Sequence, residues 1–212
     1  MKIGILGSGD VAQALAKGFL ANSHQVAFGS RDATKLAEFV AAHPGSQVTS
    51  VADAAAFGEL LVVAVKGTVA ESVLAAAGEH LAGKVVIDAN NPIAEAPPVN
   101  GVLQFFTGPN DSLGERLQAR FPQARIVKAF NSVGSNFMVN PVFAGGTPTM
   151  FIAGNDTTAK ATVAAIVKAF GWEVADMGAI ESARALEPLC QLWCLPGFLH
   201  NQWSHAFKLL QK

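Results

Sequence analysis

Short apolar runs alternate with alanine-rich amphipathic stretches along most of the chain, and each alternation predicts a strand followed by a helix. The apolar runs are continuous, which is typical of strands buried on both faces. The predicted strands lie at residues 2–6, 25–28, 47–48, 60–65, 84–88, 125–129, 149–153 and 173–175. The predicted helices lie at residues 10–22, 33–42, 69–79, 112–121 and 157–170. This order predicts an α/β fold in which helices cover both faces of a doubly wound, mostly parallel sheet.

Two segments interrupt this alternation. Residues 90–110 are rich in Pro, Asn and Gly and predict a loop that is long enough to suggest a function. Residues 187–211 permit a helix, in which Pro196-Gly197 predicts a break or a kink. We therefore expect a sheet-containing domain over residues 1–180 and a small helical extension over residues 181–212.

Composition and charge exclude several classes of protein. Half of the 212 residues are hydrophobic, 15% are charged and the net charge is −1, so the chain can bury a sizeable core and is not disordered. The balanced charge gives no electrostatic reason to expect nucleic acid or a membrane as a partner. The chain has no tyrosine, which excludes the Tyr-x-x-x-Lys pair of short-chain dehydrogenases. The strand pattern starts at Lys2 and leaves no room for a signal peptide, so we expect a cytoplasmic protein.

The first predicted strand leads directly into Gly7-Ser8-Gly9-Asp10-Val11-Ala12, which fits the dinucleotide-binding pattern G-x-G-x-x-[GA]. Gly7 permits the tight turn, Gly9 lets the backbone approach a pyrophosphate, and Ala12 lets the helix pack closely on the sheet. The helix N-terminus then presents free N–H groups to the phosphates. We expect a Rossmann-type domain in which Gly7, Ser8, Gly9, Asp10 and Val11 contact the cofactor, with an ordinary helix cap as the alternative role of Asp10.

The end of the second strand favours NADP over NAD. NAD enzymes usually place a carboxylate about 20 residues after the glycine motif, whereas this strand ends in Phe28-Gly29-Ser30-Arg31. Ser30 offers a hydroxyl and Arg31 a charged planar fork, both suited to a 2′-phosphate, and Lys35 is placed to add a third contact. Asp32 is expected to cap the next helix, and a solvated loop position is the alternative for Arg31.

The other strand ends complete the predicted pocket, because ligands of open parallel sheets lie beyond the carboxyl ends of the strands. Asn side chains and backbone groups there suit the nicotinamide carboxamide and the ribose. Lys66 is a candidate for a substrate carboxylate or a phosphate and equally an exposed loop lysine, and Lys128 is a further candidate. We expect cofactor contacts from Ala64, Val65, Lys66, Asn90, Pro92, Ala129 and Asn131.

No residue is assigned a catalytic role by its pattern. None of the five histidines has neighbours spaced as metal ligands. His200 and His205 are alternative proton donors, with a surface or packed histidine as the default interpretation. Cys190 and Cys194, the only cysteines, lie four residues apart in an apolar stretch, and we expect them to be reduced core residues.

The chain resembles the NADPH-dependent coenzyme F-420 reductase family through Gly7-Ser8-Gly9, Gly29-Ser30-Arg31, Asn90-Asn91-Pro92 and Lys128-Ala129-Phe130-Asn131. The cytoplasmic oxidoreductase domains of the STEAP metalloreductases are similar too. The resemblance implies a Rossmann protein that passes a hydride between NADP and a flat redox ring, either a deazaflavin or a flavin. It also implies a C-terminal addition that shapes the acceptor site, and an acceptor ring near Phe130-Asn131-Ser132-Val133-Gly134-Ser135.

Three functions are therefore considered. The first is an NADP-dependent oxidoreductase that acts on a deazaflavin, coenzyme F-420, or on a flavin. The second is a reductase of a small carbonyl or imine substrate that Lys66 or Asn131 would polarise, although that class usually needs a long helical second domain. The third is a non-catalytic NADP-binding regulatory protein.

The C-terminal segment predicts an oligomer. Exposed apolar patches on a monomer seldom exceed several hundred Å², and a two-fold contact is the commonest way to bury a larger one. We expect a homodimer in which this segment lies at or near the interface and closes one wall of the acceptor pocket. The alternative is a monomer in which the segment folds back on its own domain. Its large apolar residues are Leu189, Leu192, Trp193, Leu195, Phe198, Leu199, Trp203, Phe207 and Leu210.

Overall fold

A computed structural model describes all 212 residues and contains one eight-stranded sheet. The order across the sheet is β3-β2-β1-β4-β5-β6-β7-β8, in which β7 is antiparallel to β6 and all other neighbours are parallel. The strands are β1 (Lys2–Leu6), β2 (Gln25–Gly29), β3 (Ser46–Thr49), β4 (Leu60–Val63), β5 (Val85–Asp88), β6 (Arg125–Lys128), β7 (Thr149–Gly154) and β8 (Glu173–Asp176). The first six strands have the doubly wound Rossmann order, and the predicted fold class is confirmed.

Helices cover both faces of the sheet. The α-helices are α1 (Asp10–Ala21), α2 (Ala37–Ala42), α3 (Val51–Phe57), α4 (Gly67–Ala77), α5 (Leu113–Arg120), α6 (Thr157–Ala169), α7 (Ala183–Leu186) and α8 (Pro188–His200). Side chains of α1, α2 and α6 belong to the buried apolar cluster on one face, and those of α3, α4 and α5 to the cluster on the other. No helix combines the length and the apolar character that a membrane span requires.

Strand β4 shows why the strands are continuous apolar runs in the sequence. All four of its residues are buried. Leu60 and Val62 belong to the cluster beneath α1, whereas Leu61 and Val63 belong to the cluster beneath α4. Because side chains alternate between the two faces of a strand, a sheet covered on both faces needs an apolar residue at every position.

The structure contradicts the break predicted at Pro196-Gly197, whereas the kink, the other predicted outcome, stays a prediction. Helix α8 continues through Pro196 and ends at His200, and Asn201 follows in the left-handed conformation with φ 53°. Trp193 and Gly197 are buried on the same face, one turn apart, on either side of Pro196. Burial of this face stabilises the helix by more than the loss of the one hydrogen bond that proline cannot donate. This balance depends on packing and is not visible in the sequence pattern.

Residues 201–212 fold back on their own domain. Thr149 at the start of β7 donates its backbone N–H to Phe207 O at 2.9 Å, and its hydroxyl oxygen accepts from the Leu209 N–H at 3.1 Å. Trp193 Nε1 donates to His205 O at 2.8 Å. These bonds anchor the tail at the same edge of the sheet at which β1, β4, β5 and β6 end.

Candidate cofactor site

The carboxyl ends of β1 and β4 form the centre of the candidate site. The two strands are neighbours, but α1 leaves β1 towards one face of the sheet and α4 leaves β4 towards the other. The two connections therefore diverge and leave a crevice between them. This topological switch point is where open α/β sheets bind their ligands.

The turn after β1 requires a glycine. Gly7 adopts φ +139°, and its N–H donates to Gly29 O at 3.1 Å. A Cβ atom on Gly7 would lie 2.1 Å from Ala64 O. The ends of β1, β2 and β4 therefore lie so close together that only glycine, which has no Cβ atom, fits at this position.

Gly9 has the opposite environment, because a Cβ atom there would meet nothing within 4 Å. It is the N-cap of α1, and no side chain caps this helix. Asp10 is the first residue of the helix, so its alternative interpretation as the cap is wrong. The side chains of Ser50, Ser112 and Asp156 cap α3, α5 and α6.

The first turn of α1 therefore fits the pyrophosphate of a dinucleotide. Its unpaired N–H groups and the positive end of its helix dipole face open space above Gly9. Ser8 and Val11 lie half-buried beside this space, and Ser8 O accepts from Gln13 Nε2 at 3.1 Å. Gly7, Ser8, Gly9, Asp10 and Val11 remain the predicted contacts.

The end of β2 offers two cations without ion-pair partners. Arg31 and Lys35 are exposed, and no carboxylate lies within salt-bridge distance of either. Asp32 Oδ1 accepts from Thr34 Oγ1 at 2.6 Å and from Thr34 N at 3.0 Å, and these bonds hold the pKa of Asp32 below its ordinary value. Ser30 Oγ donates to Asp32 O at 2.9 Å. Asp32 thus stabilises the turn before the next helix, and the group fits a 2′-phosphate.

At the ends of β4 and β5, the predicted cofactor contacts differ from one another in burial and in hydrogen bonding. Asn90 is buried, and its Oδ1 accepts from the Val65 N–H at 2.8 Å while its Nδ2 donates to Asp88 Oδ1 at 2.9 Å. Its amide is therefore occupied within the protein. The Lys66 side chain is 80% exposed and lies 3.9 Å from Glu95. Ala64 and Pro92 are buried, so Ala64 can contribute only its backbone.

Asn131 presents an amide oxygen to the site. Its Nδ2 donates to Leu186 O at 2.8 Å and to Asn91 Oδ1 at 3.2 Å, and Asn91 Nδ2 donates back to Asn131 O at 2.8 Å. No protein group donates to Asn131 Oδ1, which leaves it for a donor such as a carboxamide. Ala129 and Phe130 before it are buried, and Phe130 has φ +63°. Such a value is rare for an aromatic residue and often occurs at functional sites.

A buried ion cluster lies directly beneath these asparagines. Lys128 Nζ is 2.7 Å from Asp88 Oδ2, 2.8 Å from Glu187 Oε1 and 2.9 Å from Asn90 O. All of these side chains are at most 2% exposed. Burial alone would lower the pKa of Lys128, but the two carboxylates more than offset it, so the pKa is raised. Lys128 is therefore a structural cation, bound on all sides by the protein.

Sequence reasoning named Lys128 as a candidate but did not identify its partners Asp88 and Glu187. Asp88 and Lys128 carried a signal, since each places a charge at the end of an otherwise apolar strand. Glu187 carried none, because it belongs to the distant C-terminal segment and reaches Lys128 only in the folded chain. Asn91 was noted as part of a strand end, but its reciprocal pairing with Asn131 depends on the adjacency of β5 and β6.

Comparison with known proteins identifies the class. Residues 2–92 match the family described as NADP oxidoreductase, coenzyme F-420-dependent. The metalloreductase STEAP3 of Rattus norvegicus is 34% identical over 202 residues, which are 93% of this chain and 39% of that protein. The F-420-dependent NADP reductase of Methanocaldococcus jannaschii is 28% identical over 207 residues, covering 91% of this chain and 90% of that one.

Solved structures are similar to the chain as well. The crystal structure of a proposed F-420-dependent NADP reductase from Arthrobacter sp. FB24 superposes with a TM-score of 0.92 at 35% identity, and each chain is covered completely. An imine reductase from Streptomyces aurantiacus has a TM-score of 0.69 at 16% identity and shares the fold.

The fold and these relatives define the class as the NADP-dependent oxidoreductases. More closely, the chain belongs to the coenzyme F-420-dependent NADP oxidoreductase family, and the predicted resemblance is confirmed. The chain spans about two fifths of the length of the rat metalloreductase.

The two glycines of the first turn are expected to respond differently to substitution. Gly9→Val should leave the free energy of unfolding within about 1 kcal/mol of the wild type but should abolish NADPH binding, because the side chain enters the space of the pyrophosphate. Gly7→Ala should instead cost about 1–3 kcal/mol or more, because it forces a contact with Ala64 O. Urea unfolding and calorimetric titration with NADPH measure the two effects. Undiminished NADPH binding by Gly9→Val would contradict the site.

Arg31→Ala is expected to weaken NADPH binding while NADH binding stays nearly unchanged. Loss of a charge-assisted contact to the 2′-phosphate costs about 1.5–3 kcal/mol, or about ten- to hundredfold in Kd. The dissociation constants of both cofactors are measured by calorimetry, with Lys17→Ala as the control that removes an exposed charge from α1. Equal losses for NADPH and NADH would show that Arg31 does not contact the 2′-phosphate.

Proposed function

We propose that this chain transfers a hydride between NADPH and a planar redox ring, either a deazaflavin of the coenzyme F-420 type or a flavin. The observation that carries the proposal is that the polar groups around Asn131 are either neutral amides or paired within the protein. Lys128 is neutralised by two carboxylates, and Asn91 and Asn131 are neutral amides. Hydride transfer between two rings needs orientation and exclusion of water more than proton transfer by the protein.

The residues of the chain have separate tasks in this proposal. NADPH, when bound, supplies the hydride. The N-terminus of α1 binds the pyrophosphate, and Ser30, Arg31 and Lys35 bind the 2′-phosphate. Asn131 Oδ1 orients the nicotinamide carboxamide, because it is the one acceptor of that amide pair without a donor in the protein.

Buried Trp193 anchors the C-terminal extension beside Asn131. The ring of Trp193 packs against the loop that follows Asn131, so closely that a Cβ atom on Gly134 would lie 2.6 Å from Trp193 Cη2. His205 stacks on the same ring at 5.0 Å between centroids, and its Nε2 is 2.9 Å from Trp193 O. His205 is thus engaged with Trp193, and together they hold the C-terminal extension at this side of the proposed acceptor site.

The proposal is tested by following the near-ultraviolet absorbance of NADPH with coenzyme F-420, FMN, FAD, a ferric chelate and a cyclic imine. We expect NADPH to be consumed with coenzyme F-420 or a flavin, and no consumption with the Gly9→Val control. Consumption with the imine alone would instead indicate a reductase of small substrates. Binding of NADPH without oxidation by any acceptor would indicate a regulatory protein.

We further propose that the protein is a homodimer with the C-terminal segment at the interface. Although residues 201–212 fold back on their own domain, Leu192, Phe198 and Leu199 of α8 remain 54%, 45% and 53% exposed. The loop at Gly101 touches Leu199 and adds exposed Val99 and Val102 to the same surface. An apolar patch of this kind favours association.

Light scattering at micromolar concentration tests the dimer. We expect twice the chain mass of 22.0 kDa, and conversion to the monomer by Leu199→Asp, which places a charge in the patch. Val142→Asp is the matched control, because Val142 is 88% exposed and lies outside the C-terminal segment, so the mass should not change. A wild-type mass of 22.0 kDa would refute the dimer.

A further inference from the structure

The buried ion cluster of Asp88, Lys128 and Glu187 connects three separate parts of the chain. The proposed hydride transfer does not by itself require this connection. Asp88 ends β5, Lys128 ends β6, and Glu187 lies between α7 and α8 in the C-terminal extension. Glu187 also accepts hydrogen bonds from the N–H groups of Leu113 and Gly114, both at 2.9 Å, at the start of α5. One carboxylate therefore joins the extension to the sheet and to a helix.

One branch of the cluster leads to the end of β4. Asp88 Oδ1 accepts from the backbone N–H of Asn90 at 3.0 Å and from its Nδ2 at 2.9 Å. Asn90 Oδ1 in turn accepts from the Val65 N–H at 2.8 Å. The backbone of Val65, one of the predicted cofactor contacts, is thus fixed through two side chains to the carboxylate that pairs with Lys128.

The other branch leads to Asn131. Leu186, the residue before Glu187, accepts from Asn131 Nδ2 at 2.8 Å. The ion pair between Glu187 and Lys128 therefore fixes the carbonyl that orients the Asn131 amide, whose Oδ1 has no donor in the protein. Both branches end at the nicotinamide side of the candidate site, and neither reaches Arg31.

We propose that Glu187 is a positioning residue that aligns the nicotinamide side of the site through Lys128. The inference rests on the proposed hydride transfer. A buried ion pair adds little net stability compared with apolar residues of the same size, so stability alone does not account for three charges in this core. What the charges add is a fixed relative position of β5, β6 and the extension, because the ammonium group has short contacts to Asp88, Asn90 and Glu187 at once.

The test compares Glu187→Gln with Glu181→Gln, which neutralises an exposed carboxylate of the same extension. For Glu187→Gln we expect kcat to fall about ten- to hundredfold, the scale of a small misplacement of reacting groups. The KM for NADPH and the Kd of adenosine 2′,5′-bisphosphate, which probes the Arg31 side, should change less than about threefold. Glu187→Asp keeps the charge and should restore part of kcat.

Hydrogen exchange provides a readout that does not depend on activity. In Glu187→Gln, exchange should accelerate more for amides of residues 129–135 and 186–212 than for those of residues 2–31, which should show only the general loss of stability. Uniformly faster exchange, or kcat, KM and exchange equal to those of Glu181→Gln, would overturn the proposal. If Glu187→Gln does not fold, Glu187→Asp replaces it in each comparison. If the wild-type protein reduces no acceptor, the proposed hydride transfer is refuted. The regional pattern of hydrogen exchange then still tests whether Glu187 is a positioning residue.

Discussion

The backbone of Gly7 passes so close to Ala64 O that a Cβ atom would lie 2.1 Å from it. This approach fixes the ends of β1 and β4 against each other and makes the chain turn at once into α1. Since Gly9 follows as the N-cap without a side chain, the helix begins with its N–H groups unpaired and open. The anion binding that we propose for this site is therefore a consequence of tight backbone packing at one point of the sheet.

The ion cluster of Asp88, Lys128 and Glu187 fixes the position of the C-terminal extension relative to the contact between Gly7 and Ala64. Removing three charges from water is costly, and a buried pair is retained only when hydrogen bonds satisfy its remaining groups. Here the N–H groups of Leu113, Gly114 and Asn90 supply those bonds. Removal of one partner from such a pair costs about 3–5 kcal/mol because an uncompensated charge stays buried. The extension is thus attached to the core by a specific polar contact as well as by Trp193.

The fold could be predicted, and the candidate cofactor site could be proposed, because their sequence signals are local. Continuous apolar runs, the motif Gly7 to Ala12 and the missing carboxylate after β2 are each contained in a few neighbouring residues. The internal role of Asn90, the pairing of Lys128 with Glu187 and the helix through Pro196 could not, because each depends on packing between distant segments. The apolar patch of the proposed dimer lies between these cases. The sequence shows its apolar residues, but it does not show which of them the domain buries and which stay exposed.

A structure of the protein with NADP tests the central claim most directly. The account predicts the pyrophosphate above Gly9 at the N-terminus of α1, the 2′-phosphate between Ser30 and Arg31, and the carboxamide at Asn131 Oδ1. A dinucleotide bound away from the carboxyl ends of β1 and β4, or a 2′-phosphate without contact to Arg31, would contradict it.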